Sequence, residues 1–171
     1  MRTGTFVVPI LHVSDGDHVY ELVSPAATIS NDENLVTIAV HVVLKKSEAG
    51  IFVQCGVIAA FHRPCDRCLD EFDGQFQTSF SHWYLIGRYG VKPSVEDEDE
   101  IREITSETRH IVLDDDVRES ILLGEPVKFL CKEDCKGLCP HCGINRNYQQ
   151  CMCDETDTRE RSLNTKTFVK N

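Results

Sequence analysis

A chain of 171 residues with 41% hydrophobic and 27% charged side chains can bury a core without covalent staples, so its nine cysteines ask for another explanation. Their odd number excludes complete disulfide pairing. The net charge of −10 excludes indiscriminate nucleic-acid binding, which needs a surplus of Lys and Arg. The acidity is also uneven: residues 91–130 carry 5 basic and 12 acidic side chains, whereas residues 131–171 carry 7 and 6.

The apolar run Phe6 to Leu11 is broken by Pro9 and closed by His12, too short for a signal core and without a small-residue cleavage site after it. No stretch reaches the length of a membrane span. The expectation is a cytoplasmic protein, in whose reducing surroundings clustered cysteines act as metal thiolates or redox pairs.

Thr5 to Val13 and Val19 to Val23 read as short strands. From Leu35 to Lys45 the alternation places Val36, Ile38, Val40, Val42 and Leu44 on one face, with Thr37, His41 and Lys45 opposite. Ser47 to Gly50 makes a turn, and Ile51 to His62 returns as a strand apolar enough to be partly buried on both faces. Phe76, Thr78, Phe80, His82, Tyr84 and Ile86 alternate with Gln75, Gln77, Ser79 and Ser81, the clearest strand in the chain. The acidic run Glu96 to Glu100 reads as a solvated loop. A helix opens at Asp114-Asp115-Asp116, where three acids suit the positive end of the helix dipole and Asp116 with Glu119 has capping-box spacing. Val117, Ile121 and Leu122 form its apolar stripe, predicted to pack on the sheet, and Pro126 ends it. The fold class is therefore α+β: an antiparallel β-rich domain, meander or barrel-like, over residues 1–130 with one or two packing helices, the main one near 114–125. A small C-terminal zinc-binding module over 131–160 and a tail over 161–171 follow.

Six cysteines fall within 23 residues: Cys131, Cys135, Cys139, Cys142, Cys151 and Cys153. Cys139-Pro140-His141-Cys142-Gly143 is the strongest element, because two thiolates two residues apart can face one ion if the chain turns tightly, and Gly143 permits the positive φ that turn demands. Such a knuckle supplies half of a tetrahedral site. We rank Cys139 and Cys142 first as ligands, then Cys135 and Cys153, then Cys131 and Cys151, and expect about one Zn²⁺ per chain. His141, inside the knuckle, is expected to point away into solvent. With sulfur ligands in abundance and no His-Glu base motif, the site reads as closed and structural, its role being to fold a tail poor in apolar residues.

Cys65-Asp66-Arg67-Cys68 admits three readings: a redox dithiol, a metal-binding pair, or a structural turn or interaction point. Redox motifs of this type precede a helix, whereas here strand alternation resumes, which weighs against the first. Cys55, in an apolar strand, reads as a buried small hydrophobe. No Gly-rich phosphate loop or nucleophile elbow is present, so no catalytic residue is assigned and the chain is not read as an enzyme.

The Cys65-x-Arg67-Cys68 turn with Leu69, the acidic spacer, the helix with Asp115, Arg118 and Glu119, the Leu123 to Pro126 stop, and the run Cys131-x-x-Asp134-Cys135-Lys136-Gly137-Leu138-Cys139-Pro140-x-Cys142-Gly143-x-Asn145 together resemble the YceD family. These are the large ribosomal RNA subunit accumulation proteins of bacteria and plastids. The resemblance runs from about residue 35 to 160 and implies a role in large-subunit assembly through accumulation of its ribosomal RNA. It makes Arg67 the leading RNA or partner contact. The acidic net charge leaves three routes: a local basic patch from Arg63, Arg67 and Arg88, a basic ribosomal protein or assembly factor as partner, or phosphate contacts by the tail cations Lys132, Lys136, Arg146, Arg159 and Arg161. Competing readings are a zinc-ribbon protein–protein adaptor and a thiol-redox enzyme using Cys65 and Cys68.

Overall fold

The structure, a computed structural model, describes residues 4–48, 50–87 and 101–153. Ala49, Arg88, the acidic run 96–100, Arg159, Arg161 and the tail 161–171 lie outside the described residues. The chain divides into two compact units, one of Met1–Arg63 with Phe72–Val127 and one of Pro64–Glu71 with Lys128–Asn171.

The first unit is built on a five-stranded sheet of β2 (Gly16–Pro25), β3 (Leu35–Ser47), β4 (Gly50–Pro64), β5 (Glu71–Ile86) and β6 (Ile101–Ile104), in that spatial order. The described strands thus form a meander, extended by β6, which runs parallel to β5 from Trp83↔Ile101 to Ile86↔Ile104. β1 (Val7–Pro9) pairs antiparallel with β7 (His110–Val112) in a separate two-stranded sheet. β6 and β7 leave no legible signal in the sequence, since three or four residues give too short a window for periodicity to register.

Period-two alternation builds the core. Ile38, Val40, Val42 and Leu44 of β3 are fully buried, as are Ile51, Val53, Cys55 and Val57 of β4 to within about one per cent. Val36 departs from the expected face and is 53% exposed, because the β3–β4 register shifts between Leu35 and Thr37 and the bulge turns it outward. On β5, Phe76 and Tyr84 are buried while Gln75, Gln77 and Ser79 are exposed, as the alternation requires; Ile86 instead is exposed and Leu85 buried.

The one α-helix among the described residues, α1 (Asp114–Gly124), buries Val117, Ser120 and Ile121 together with Asp116. Leu122, expected on the apolar stripe, is 68% exposed; Ser120 takes its place, lying one turn from Asp116 and Val117. The expected capping box does not form, as Leu113 occupies the cap without a side-chain bond. Asp114 instead accepts the backbone N–H groups of Thr5 at 2.9 Å and Phe6 at 2.7 Å, and Asp116 turns inward. The acids at this end therefore fasten the N-terminal segment and hold an ion pair whose carboxylate is buried.

Candidate metal centre

Eight cysteines of the unit formed by Pro64–Glu71 and Lys128–Asn171 gather into two sets with no member in common. One contains Cys65, Cys68, Cys131 and Cys135, the other Cys139, Cys142, Cys151 and Cys153. Within each set the four sulfurs lie within 4.8 Å of one another.

The first set begins in the turn after β4. Cys65 N–H donates to the Asp70 carbonyl at 2.9 Å and Leu69 N–H to the Cys65 carbonyl at 2.9 Å, closing the turn with Leu69 at φ 62°. Asp66 then draws in the segment before Cys131: its N–H donates to the Phe129 carbonyl at 2.9 Å, and Phe129 N–H donates to its carboxylate at 2.7 Å. The Cys65 and Cys135 sulfurs lie 3.8 Å apart, and those of Cys68 and Cys131 3.7 Å. Backbone N–H groups of Arg67 and Cys131 point at the Cys65 sulfur at 3.5 and 3.4 Å, and the Asn147 amide at the Cys135 sulfur at 3.3 Å. Arg67 Nη1 donates to the carbonyls of Cys135 at 3.0 Å and Glu133 at 3.4 Å.

The second set rests on the knuckle. Gly143 N–H donates to the Cys139 carbonyl at 2.9 Å, with Gly143 at φ 73° as its position demands. The Cys151 sulfur lies 3.2 Å from that of Cys139 and 3.4 Å from that of Cys142, and Cys153 N–H points at it at 3.3 Å. His141 is exposed and contributes no ring atom to the set. Gly137 lies between the two sets at φ 68°, where a Cβ would stand 2.9 Å from the Arg67 carbonyl. That carbonyl accepts Leu138 N–H at 3.0 Å, so the two backbones approach closely here.

Four sulfurs at about 2.3 Å from a tetrahedral zinc stand about 3.8 Å apart. The 3.7 and 3.8 Å spacings of the first set match this, and the second set is slightly tighter. A disulfide needs about 2.05 Å, and all nine cysteines are free thiols. Each set could therefore hold a metal ion.

Local donors polarise the thiols. Burial works to raise Cys65, but backbone N–H groups of Cys131, Arg67 and Cys68 outweigh it and lower its pKa to about 6. The N–H groups of Cys142 and His141 bring Cys139 to about 6. Cys68 is pushed up to about 12 by burial and by hydrogen bonding with its sulfur neighbours, and Cys153 to about 12 by its bonds with Cys151 and Cys142. Four sulfurs this close would repel one another if all were ionised, and a central divalent cation is the counter-charge that suits them.

The structure regroups the ligands expected from the sequence. Cys135 does not join Cys139, Cys142 and Cys153; it sits with Cys65, Cys68 and Cys131, and Cys151 completes the other set. The pairing of Cys65 and Cys68 with a segment more than sixty residues away leaves no local spacing to read. Among the cations proposed for RNA or partner contact, Arg63 pairs with Glu125 at 3.1 Å and Arg67 holds carbonyls of the cysteine unit, while Arg88 is outside the described residues. A further polar cluster, Arg102, Asp116 and His82, lies in the sheet unit and leaves no sequence signal, because its members are far apart in sequence.

Among the described residues, fold and site thus define a mixed-β protein with one α-helix and two four-cysteine sets that could hold metal. The chain belongs to the YceD family: the family model described as "Large ribosomal RNA subunit accumulation protein YceD" matches residues 53–165. Uncharacterised proteins of Mycobacterium bovis and of two Mycobacterium tuberculosis strains are each 30% identical over 95 residues, covering 56% of this chain and 44% of theirs. The chain spans less than half the length of these curated relatives. No solved structure matches it. No helix among the described residues is long and apolar enough to cross a membrane.

Proposed function

We propose that this protein is a non-catalytic factor for large ribosomal subunit assembly, acting in the cytoplasm on the accumulation of its ribosomal RNA. The observation that carries this reading is the family match over residues 53–165, a stretch containing both cysteine sets. Its partners are large-subunit RNA, precursor particles, or the basic ribosomal proteins and assembly factors that a chain of net charge −10 would attract. Arg63, Arg67 and Arg88 are the cations we assign to that contact, since a guanidinium can fork onto phosphate or carboxylate. Arg63 is shared with Glu125, and Arg67 with the carbonyls of Cys135 and Glu133. Zn²⁺ is the structural ion of the tail set, Cys139, Cys142, Cys151 and Cys153, since four thiolates close its tetrahedral shell and leave no position for a reacting water. The burial of Cys65 among three other cysteines supports a ligand role for it and weighs against a thiol enzyme.

The test is a deletion strain analysed on gradients. A lowered ratio of large to small subunits, with tagged protein travelling with large-subunit precursors, is the expected result. A normal subunit profile during cold and rapid growth defeats the assembly role. Zinc-dependent capture of a non-ribosomal protein, without co-migration, would favour the adaptor reading instead.

A further inference from the structure

We infer that Cys65, Cys68, Cys131 and Cys135 form a second zinc site, so that the chain takes two Zn²⁺ ions, and that this site releases its ion more slowly than the tail set. This rests on reading the thiol sets as zinc sites and is independent of the ribosomal role.

Three observations carry it. Each set is complete in itself, with four sulfurs within 4.8 Å and none shared. Two separate mononuclear sites follow, not a bridged cluster, and a single ion would leave four converging thiols without a counter-charge. The sets also differ in access to solvent. Cys65, Cys68 and Cys135 are buried in the first, whereas Cys142 and Cys153 are exposed in the second. A competing ligand must reach a sulfur before it can displace one, so the exposed set exchanges first.

The third observation is the support around the first set. Asn147 donates its amide to the Cys135 sulfur at 3.3 Å and is itself fixed, its Nδ2 also donating to Asn145 Oδ1 at 2.9 Å and its Oδ1 accepting Lys136 N–H at 2.9 Å. Asn145 in turn donates to Asp70 at 2.8 Å, which ties this array to the Cys65–Cys68 turn. Arg67 grips the carbonyl of Cys135 itself. Groups that orient ligands in this way contribute about 10- to 100-fold in metal affinity. Asn147 and Arg67 are positioning residues of this site.

Native mass spectrometry of the full chain purified from zinc-supplemented cells should show two zinc ions, falling to one in Cys68→Ser and to one in Cys142→Ser. Release to a chromogenic chelator should be biphasic with equal amplitudes. Cys142→Ser should lose the fast phase and Cys68→Ser the slow one. Asn147→Ala should accelerate the slow phase about tenfold or more and leave the fast phase unchanged. Should the serine variants fold poorly, cadmium-113 NMR of the exchanged wild type should show two all-thiolate resonances of equal intensity. One resonance, or one zinc in wild type that persists in Cys68→Ser, overturns the second site while leaving the tail zinc intact. A metal-free protein overturns the zinc reading altogether. Two ions released in a single phase overturn the inequality.

Discussion

Arg102 clasps Asp116 with both ends of its guanidinium, Nη1 donating to Oδ2 at 2.8 Å and Nη2 to Oδ1, while His82 Nε2 stands 3.3 Å from that same Oδ1. The Asp116 side chain is only 5% exposed. Removing Arg102 would leave the buried carboxylate to His82, and because the Arg102 side chain is itself 40% exposed, Arg102→Leu should cost about 1–2 kcal/mol. The double variant Arg102→Leu with Asp116→Leu should recover much of that loss, because no buried charge remains. Urea unfolding of the two variants measures both values. A single variant as stable as wild type would show that the clasp contributes nothing.

The same pair sets a pH dependence. Burial alone would raise the Asp116 carboxyl, but hydrogen bonds from His82 and Arg102 and the Arg102 charge hold it below the ordinary carboxylate range. Its folded pKa is depressed, so its contribution is present above the unfolded value of about 3.9 and is lost as pH falls through the folded one. Stability against pH should therefore fall more steeply in acid for wild type than for Asp116→Asn, with the curves parallel near neutrality. Equal acid slopes would remove Asp116 from the account.

Cys55 is fully buried in β4, and burial, with the nearby Asp116 charge, pushes its thiol up to about 12. At neutral pH it is a protonated small hydrophobe. In native protein treated with chelator and iodoacetamide, Cys55 should be the last cysteine alkylated, as read by peptide mass mapping. Cys55→Ser should cost about 1–3 kcal/mol by burying a hydroxyl without an assured partner. Early modification of Cys55 in folded protein would contradict its placement.

Two glycines of the cysteine unit should behave differently. Gly143 sits at φ 73° where an added Cβ would meet nothing within 4 Å, so Gly143→Ala meets only the left-handed penalty of about 1–2 kcal/mol. Gly137 has the same backbone sign, but its added Cβ would press to 2.9 Å from the Arg67 carbonyl. Gly137→Ala should thus lower metal retention and thermal stability clearly more than Gly143→Ala. Equal effects in zinc content and melting would mean that the approach of Gly137 to Arg67 is not constraining.

Much of this follows from the sequence alone. The apolar alternation of β3 and most of β5 names its own buried face, because side chains on a strand point to opposite sides by geometry alone. By contrast β4, which reads as partly buried on both faces, buries Ile51, Val53, Cys55 and Val57 and leaves Ile58 38% exposed. The knuckle at Cys139 to Gly143 is equally local: two residues between thiols and a glycine able to reach φ 73° are enough to specify it. The exposure of Val36 and Leu122 was not decided there, since a one-residue register shift and the facing of a helix depend on what lies opposite. Nor was the partition of the eight cysteines, or the union of Arg102 with Asp116. Ligand spacing is informative only within a turn, and the Cys65–Cys68 turn meets Cys131 and Cys135 because Asp66 and Phe129 exchange backbone and carboxylate bonds across the gap. Hydrogen bonds made over such sequence distances have no periodicity to announce them, so only the folded chain could assign Cys135 to one set and Cys151 to the other.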